Sequence, residues 1–114
     1  MRLYGAGGGT GLEGFVDLRI TRGTSTSKAS LSCTGFTPDA TNYLGAGAGV
    51  IFDGTLATFP TSYGATVDDP PGAADTWKKN EAHAYRVRVS VRDDNAAQGL
   101  WAYQAFTWEA REVP

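Results

Sequence analysis

A chain of 114 residues is long enough for one domain, and its net charge of −2 gives no basic surplus for binding nucleic acid. One cysteine and one histidine exclude an intrachain disulfide, a cysteine-based zinc site and any site that needs two histidines. No apolar run reaches the ~18 residues that a membrane-spanning helix requires. The composition is rich in glycine and aromatic residues and poor in lysine, which favours strands and turns over helices.

The chain divides into a glycine-rich segment, residues 1–14, and a region of alternating polarity, residues 15–114. Glycine loses more backbone entropy on ordering than any other residue, so we expect residues 1–14 not to fold by themselves. The segment lacks the apolar stretch of an export signal. Two interpretations stay open: a cytoplasmic protein, or an exported protein whose signal has been removed. The composition favours the second.

Alternation of apolar and polar residues predicts strands over residues 15–22, 29–36, 50–59, 83–92 and 100–110. No stretch of ten or more residues has the 3.6-residue period of a helix. We therefore predict an all-β domain, a small two-sheet β-sandwich. About five strands are few for a closed sandwich, which commonly has seven or more. The predicted fold is thus short of a strand.

Few residues have side chains suited to catalysis or metal binding. We expect His83 to be structural, because no second histidine or nucleophile motif accompanies it. Cys33 has three open interpretations: a buried core residue, a half-cystine whose partner lies in another chain, and a catalytic thiol. Asp93, Asp94 and Asn95 have oxygens that suit calcium, but such residues are also common in turns. We expect no enzyme activity, no catalytic residues, no cofactor and no metal.

The arginines of the strand over residues 83–92 lie on one face. Arg86, Arg88 and Arg92 alternate with apolar residues and form a positive stripe. This stripe is either a solvated face, balanced across the sheet by Asp17 or Glu109, or a surface for an acidic partner such as another copy of the protein.

Three motifs in the last third of the chain are recognisable. They are an E-x-h-x-Y pattern from Glu81, an A-x-Q-G turn from Ala96 and a closing F-T-W-E-A strand from Phe106. In these motifs the sequence resembles the TasA/camelysin family of exported biofilm-matrix fibre and bundling-pilus subunits. The resemblance implies a jelly-roll-like sandwich and a set of family-motif core residues: Tyr85, Val87, Val89, Gln98, Gly99, Phe106 and Trp108.

The resemblance also implies a function: a structural subunit of an extracellular fibre, polymerising head to tail by donor-strand complementation. An edge with unpaired backbone groups would accept an extended segment of a neighbour. Residues 1–14 are the candidate donor, with Leu3, Tyr4, Gly7, Gly9, Gly11 and Leu12 as the residues expected to make the contact. Cys33 would then be available for an intermolecular disulfide.

The same resemblance implies self-association, contact with other matrix or cell-surface components and an extracellular location. From the charge and the hydropathy we expect no nucleic acid and no membrane span. Two alternatives stay open. One is a monomeric secreted binding module that uses the aromatic residues Trp77, Trp101 and Tyr103. The other is a camelysin-like peptidase, although the chain offers no metal site for that activity.

Overall fold

A computed structural model describes residues 1–26, 32–72 and 77–111, and its regular structure is almost entirely strand. The strands are β1 (Arg2–Tyr4), β2 (Gly7–Gly9), β3 (Val16–Ser25), β4 (Phe36–Pro38), β5 (Val50–Thr55), β6 (Val67–Asp68), β7 (Ala84–Val91), β8 (Ala102–Gln104) and β9 (Thr107–Glu109). Short 3₁₀ helices lie at Leu12–Phe15, Leu56–Thr58 and Asn95–Ala97. The predicted all-β class is confirmed. In these described ranges no helix is long and apolar enough to cross a membrane.

The strands form three antiparallel sheets. In the first, β1 lies between β6 and β9. In the second, β2 pairs with β8. In the third, β3 pairs along one edge with β4 and β5 and along its other edge with β7. The jelly-roll-like arrangement of a two-sheet sandwich stays a prediction.

The core lies where β1 and β6 meet β3 and β5. Along β3, Val16, Leu18 and Ile20 are buried, while Asp17 is exposed, as the alternation of the sequence predicts. A β-bulge in β5 adds one residue, Ile51, whose side chain is 2% exposed. The buried apolar cluster consists of Leu3, Leu18, Ile20, Ile51, Phe59 and Val67.

Three predicted strands differ from the observed ones. The strand expected over residues 29–36 lies partly outside the described residues, and pairing is observed only at Phe36–Pro38. Pro38, expected in a turn, therefore belongs to an edge strand, where its missing N–H breaks no ladder. The strand over residues 50–59 stops at Thr55 and continues as a 3₁₀ helix. The strand over residues 100–110 is divided into β8 and β9.

Candidate functional site

The glycine-rich N-terminal segment runs antiparallel to the C-terminal strands in one unbroken register. Leu3 is opposite Trp108 in the β1–β9 pair, and Gly8 is opposite Tyr103 in the β2–β8 pair. Backbone hydrogen bonds continue this register between and beyond the strands, from Ala105 N–H to the Ala6 carbonyl at 2.9 Å and from Thr10 N–H to the Trp101 carbonyl at 2.9 Å. Residues 2–10 therefore lie alongside residues 101–109 of their own chain, and we call them the inserted segment. The strand that the sequence analysis expected to be missing is thus filled within the single chain, and its donation by a neighbour stays a prediction.

Glycine is required in this segment because the two backbones approach closely. A Cβ added at Gly5 would overlap the Ala105 carbonyl oxygen, and one at Gly9 would overlap the Trp101 carbonyl oxygen. A Cβ at Gly7 would overlap the side chain of Gln104. Glycine is thus needed at these positions for close packing, whereas the composition alone indicates only a flexible segment.

Three further contacts hold the segment in place. The Gln104 side-chain amide donates to the carbonyl oxygens of Gly5 at 2.9 Å and Ala6 at 3.2 Å. The Gly5 N–H donates to the Pro60 carbonyl at 2.9 Å. The Tyr4 hydroxyl donates to the Glu109 carboxylate at 2.7 Å, and this bond lowers the pKa of Glu109. The segment is therefore fixed by polar contacts at Tyr4, Gly5 and Ala6.

The candidate donor residues contribute unequally to the contact. Leu3 is 0% exposed and belongs to the core cluster. Tyr4 is half-buried, with its ring edge-on to that of Tyr63 at 6.4 Å. Leu12 is half-buried in the first 3₁₀ helix, and Gly11 precedes that helix at a φ of 115°, which favours glycine. Leu3 is the main apolar anchor of the segment.

Strand β7 presents an uncovered apolar surface, which corrects the prediction that its valines form the core. Val87 is 40% exposed, and Val89 and Val91 are each 57% exposed. Their cross-strand neighbours on β3, such as Leu18 opposite Val89, are buried on the same face. The covering strands thus extend over β3 and stop before β7. We call Val87, Val89 and Val91 the valine strip.

The other motif residues are divided between the edge of the core and a surface turn. Tyr85, Phe106 and Trp108 pack against the core, and the rings of Tyr85 and Trp108 are 4.8 Å apart. Gln98 follows the third 3₁₀ helix, and Gly99 has a φ of 74° in the turn toward β8. Gln98 and Gly99 therefore lie in a turn, as the A-x-Q-G motif predicts.

A buried polar cluster, centred on Arg22, closes one end of the core. The Arg22 guanidinium is 3.2 Å from the Asp69 carboxylate, 3.7 Å from that of Asp39 and 3.6 Å from that of Glu81, and it contacts His83. The Tyr85 hydroxyl donates to Asp69, which is 1% exposed. The cluster connects β3, β7 and the loop that contains Asp69.

The electrostatics of this cluster indicate a structural tie. Burial raises the pKa of Asp69, although the Tyr85 hydrogen bond and the Arg22 charge oppose the shift. Burial and the Asp69 carboxylate raise the pKa of Tyr85, so Tyr85 keeps its proton and donates it in the hydrogen bond. Burial lowers the pKa of Arg22, but the nearby carboxylates outweigh this effect. A paired, buried arginine holds strands together and offers no nucleophile.

The remaining candidate residues are on the surface. Cys33 is exposed and free, so the interpretation as a buried core residue is wrong, and its intermolecular pairing stays a prediction. The Asp94 carboxylate accepts a hydrogen bond from Ala96 N–H and caps a 3₁₀ helix. Among the described residues no three histidine, cysteine, aspartate or glutamate side chains are grouped to hold a metal. Arg92 pairs with Asp17 at 2.8 Å, one of the two balancing partners expected for the arginine stripe.

Sequence reasoning missed the inserted segment's register and the Arg22 cluster. A signal for the cluster was present, because Arg22 continues the series of buried alternate positions formed by Leu18 and Ile20. Tyr85 lies opposite Arg22 on β7 and shares that face. The register had no such signal, since glycines carry no side-chain pattern.

Comparison with known proteins gives no relative: no family model matches the chain, and neither the curated proteins nor the solved structures include a significant match.

Proposed function

We propose that this protein is a structural subunit of an extracellular fibre, and that it polymerises head to tail by exchanging its inserted segment. The observation that carries the proposal is the central position of β1. It fills the gap between β6 and β9 and puts Leu3 into the core, although it comes from a glycine-rich segment that cannot order alone. Such an insert can be provided equally well by a neighbouring copy.

Exchange between copies costs little because the contacts are the same in both arrangements. The inserted segment of one copy would meet residues 101–109 of the next in the register seen within the chain. The backbone ladder provides affinity and the slot for Leu3 provides specificity, as in other cases of strand addition. A head-to-tail contact, in which two different surfaces of successive copies meet, leads to an open filament.

The chain has a suitable place to change direction. Between β2 and β3 lie Gly11, with its left-handed φ, and Gly14, where an added Cβ would meet nothing within 4 Å. Hinges are commonly a few loop residues that absorb large changes of φ and ψ. Rotation at Gly11–Gly14 would direct the inserted segment to a neighbour and leave β3 unchanged.

A reversible disulfide lock tests the exchange. Because Ala6 and Ala105 form a hydrogen-bonded pair, Gly7 and Gln104 form the neighbouring pair without direct hydrogen bonds, where Cα atoms are ~4.5 Å apart. That separation suits a disulfide. The variant is Gly7→Cys with Gln104→Cys in a Cys33→Ser background, which removes the exposed native thiol.

The proposal predicts two results. When oxidised as a monomer, the variant stays monomeric at concentrations where its reduced form makes filaments visible by negative-stain microscopy. When oxidised after assembly, it gives a ladder of covalent multimers on a non-reducing gel. Gln104→Cys alone, with Cys33→Ser, is the matched control, because it adds no Cβ at Gly7, and it gives no ladder. Filaments from the locked monomer, or only intrachain disulfides in assembled material, would refute strand exchange.

A second candidate function is a monomeric module that binds surface glycans, favoured by one observation. The rings of Trp101 and Tyr103 are stacked at 6.2 Å with an interplanar angle of 19°, and the residues are 55% and 58% exposed. Exposed aromatic faces of this kind suit sugar rings. Glycan binding that is lost in Trp101→Ala, by a protein that stays monomeric at high concentration, would support this function against fibre assembly.

A further inference from the structure

Strand β7 has a second property besides its uncovered valines: its outer edge is unpaired in the described part of the chain. Arg92 N–H donates to the Phe15 carbonyl at 2.8 Å, which fixes the phase of the β3–β7 ladder. With that phase, the backbone groups of Val87, Val89 and Val91 point away from β3. The same three residues thus present both free hydrogen-bonding groups and exposed apolar side chains.

We propose that β7 pairs antiparallel with β7 of a second copy, around a two-fold axis that passes through Val89. This contact is lateral and isologous, whereas the exchange of the inserted segment is head to tail. It goes beyond the proposed function and does not depend on it, because it uses a different edge. In a fibre it would connect neighbouring filaments, and without a fibre it would give a dimer.

The register follows from the positions of the side chains. Centring the pair on Val89 puts Val89 opposite its own copy and Val87 opposite Val91, so the two valine strips form one apolar surface. On the other face, Arg88 then lies opposite Ser90. A register centred on Arg88 would put that arginine opposite itself, which like charges disfavour.

The charges along the strand also favour a second copy of this chain. Arg86 lies near the start of β7, and Arg92, Asp93 and Asp94 follow its end. Antiparallel pairing brings the basic start of one copy next to the acidic end of the other, so Asp94 lies diagonal to Arg86. The like charges that lie directly opposite each other, Arg86 and Arg92, are relieved because Arg92 already binds Asp17 of its own chain at 2.8 Å. Arg88 lies diagonal to Arg88 of the second copy, where repulsion is weaker than between directly opposite residues.

Single cysteines test both the contact and its register. In a Cys33→Ser background, Val89→Cys puts the two thiols in directly opposite residues with Cα atoms ~5.5 Å apart, within the range of a disulfide. In Val87→Cys the two thiols are four positions apart along the strand, ~13 Å, which no disulfide can span. Leu44→Cys is the matched control, since Leu44 is an exposed apolar residue, 48% exposed, that does not belong to β7.

Under mild oxidation, Val89→Cys should form covalent dimer roughly tenfold faster than either Val87→Cys or Leu44→Cys, because the contact raises the effective concentration of its thiols. Sedimentation velocity, below the concentration at which filaments form, should show a dimer for the unmodified chain and for Leu44→Lys, and a monomer for Val89→Lys. Equal rates of oxidation for the three cysteines, faster dimer formation by Val87→Cys, or an unchanged dimer in Val89→Lys would each overturn the proposal. Failure of the disulfide lock would leave these results unaffected.

Discussion

Replacing Leu3 by alanine measures how much the inserted segment contributes to the stability of the domain. Leu3 is 0% exposed and contacts a cluster that includes Leu18, Ile20 and Val67. The change removes most of a buried side chain and leaves a cavity beside Leu18 and Ile20 of β3, a strand that is held by pairing along both edges. Such sites collapse poorly, so we expect a loss of ~3 kcal/mol in the free energy of unfolding.

Urea unfolding followed by tryptophan fluorescence is the assay. With a denaturant slope of about 1.5 kcal/mol per molar for a domain of this size, the midpoint should fall by about 2 M. Leu44→Ala is the control: Leu44 is 48% exposed, and the midpoint should change by less than about 0.5 M. Both variants remove the same atoms, so the difference between them isolates the effect of burial.

A midpoint for Leu3→Ala equal to that of Leu44→Ala would refute the reasoning, since β1 would then not occupy the gap between β6 and β9. The measurement needs dilute protein, because exchange between copies would stabilise both variants at high concentration.

Three further predictions concern backbone contact, pH and the buried ion pair. In urea unfolding, Gly5→Ala should lower the free energy of unfolding by about 1–3 kcal/mol, because the added Cβ overlaps the Ala105 carbonyl oxygen. Gly14→Ala is the control: its Cβ meets nothing within 4 Å, and the free energy of unfolding should change by less than about 0.5 kcal/mol. The hydrogen bond from Arg92 lowers the pKa of Asp17, so the stabilisation by this pair is present above about pH 4 and is lost as the pH falls through the lowered pKa. Asp17→Asn should therefore weaken the pH dependence of the urea midpoint between about pH 5 and pH 2. A pH dependence equal to that of the unmodified protein would contradict the lowered pKa. Arg22→Met should lower the free energy of unfolding by about 3–5 kcal/mol at pH 7, because Asp69 stays buried without its ion pair. In calorimetric unfolding, the double variant with Asp69→Asn should regain part of that stability. No gain would show that packing, and not charge, determines the loss.

The sequence predicted the features that depend on side-chain period. The alternation along residues 15–22 correctly identified the buried face of β3, and it also explains why Arg22 points into the core. That alternation is a local pattern and needs no knowledge of which strands are neighbours. Asp17 was one of two acidic residues expected to balance the arginine stripe, and its pairing with Arg92 became definite only with the β3–β7 ladder.

The features that it missed depend on distant parts of the chain. The period of β7 was predicted correctly, but the exposure of Val89 depends on how far other strands extend over β7, and the residues of β7 do not encode that. The continuous pairing of residues 2–10 with residues 101–109 joins the two ends of the domain through glycines without side-chain pattern. Periodicity identifies a strand and its two faces, whereas the burial of a face by other strands is a property of the assembled sheets.

Leu3 fixes the register in which the glycine-rich segment pairs with the C-terminal strands. Glycines permit close approach to β8, but they also permit the segment to slip, because neighbouring glycines are interchangeable. A slip of one residue would replace Leu3 in the core by Arg2 or Tyr4. Arg2 would lose its contact with Asp68, 3.6 Å away, and Tyr4 its hydrogen bond to Glu109. Because the penalty comes from this short apolar and polar sequence, the same residues would determine the register whether the segment stays in its own chain or enters a neighbouring copy.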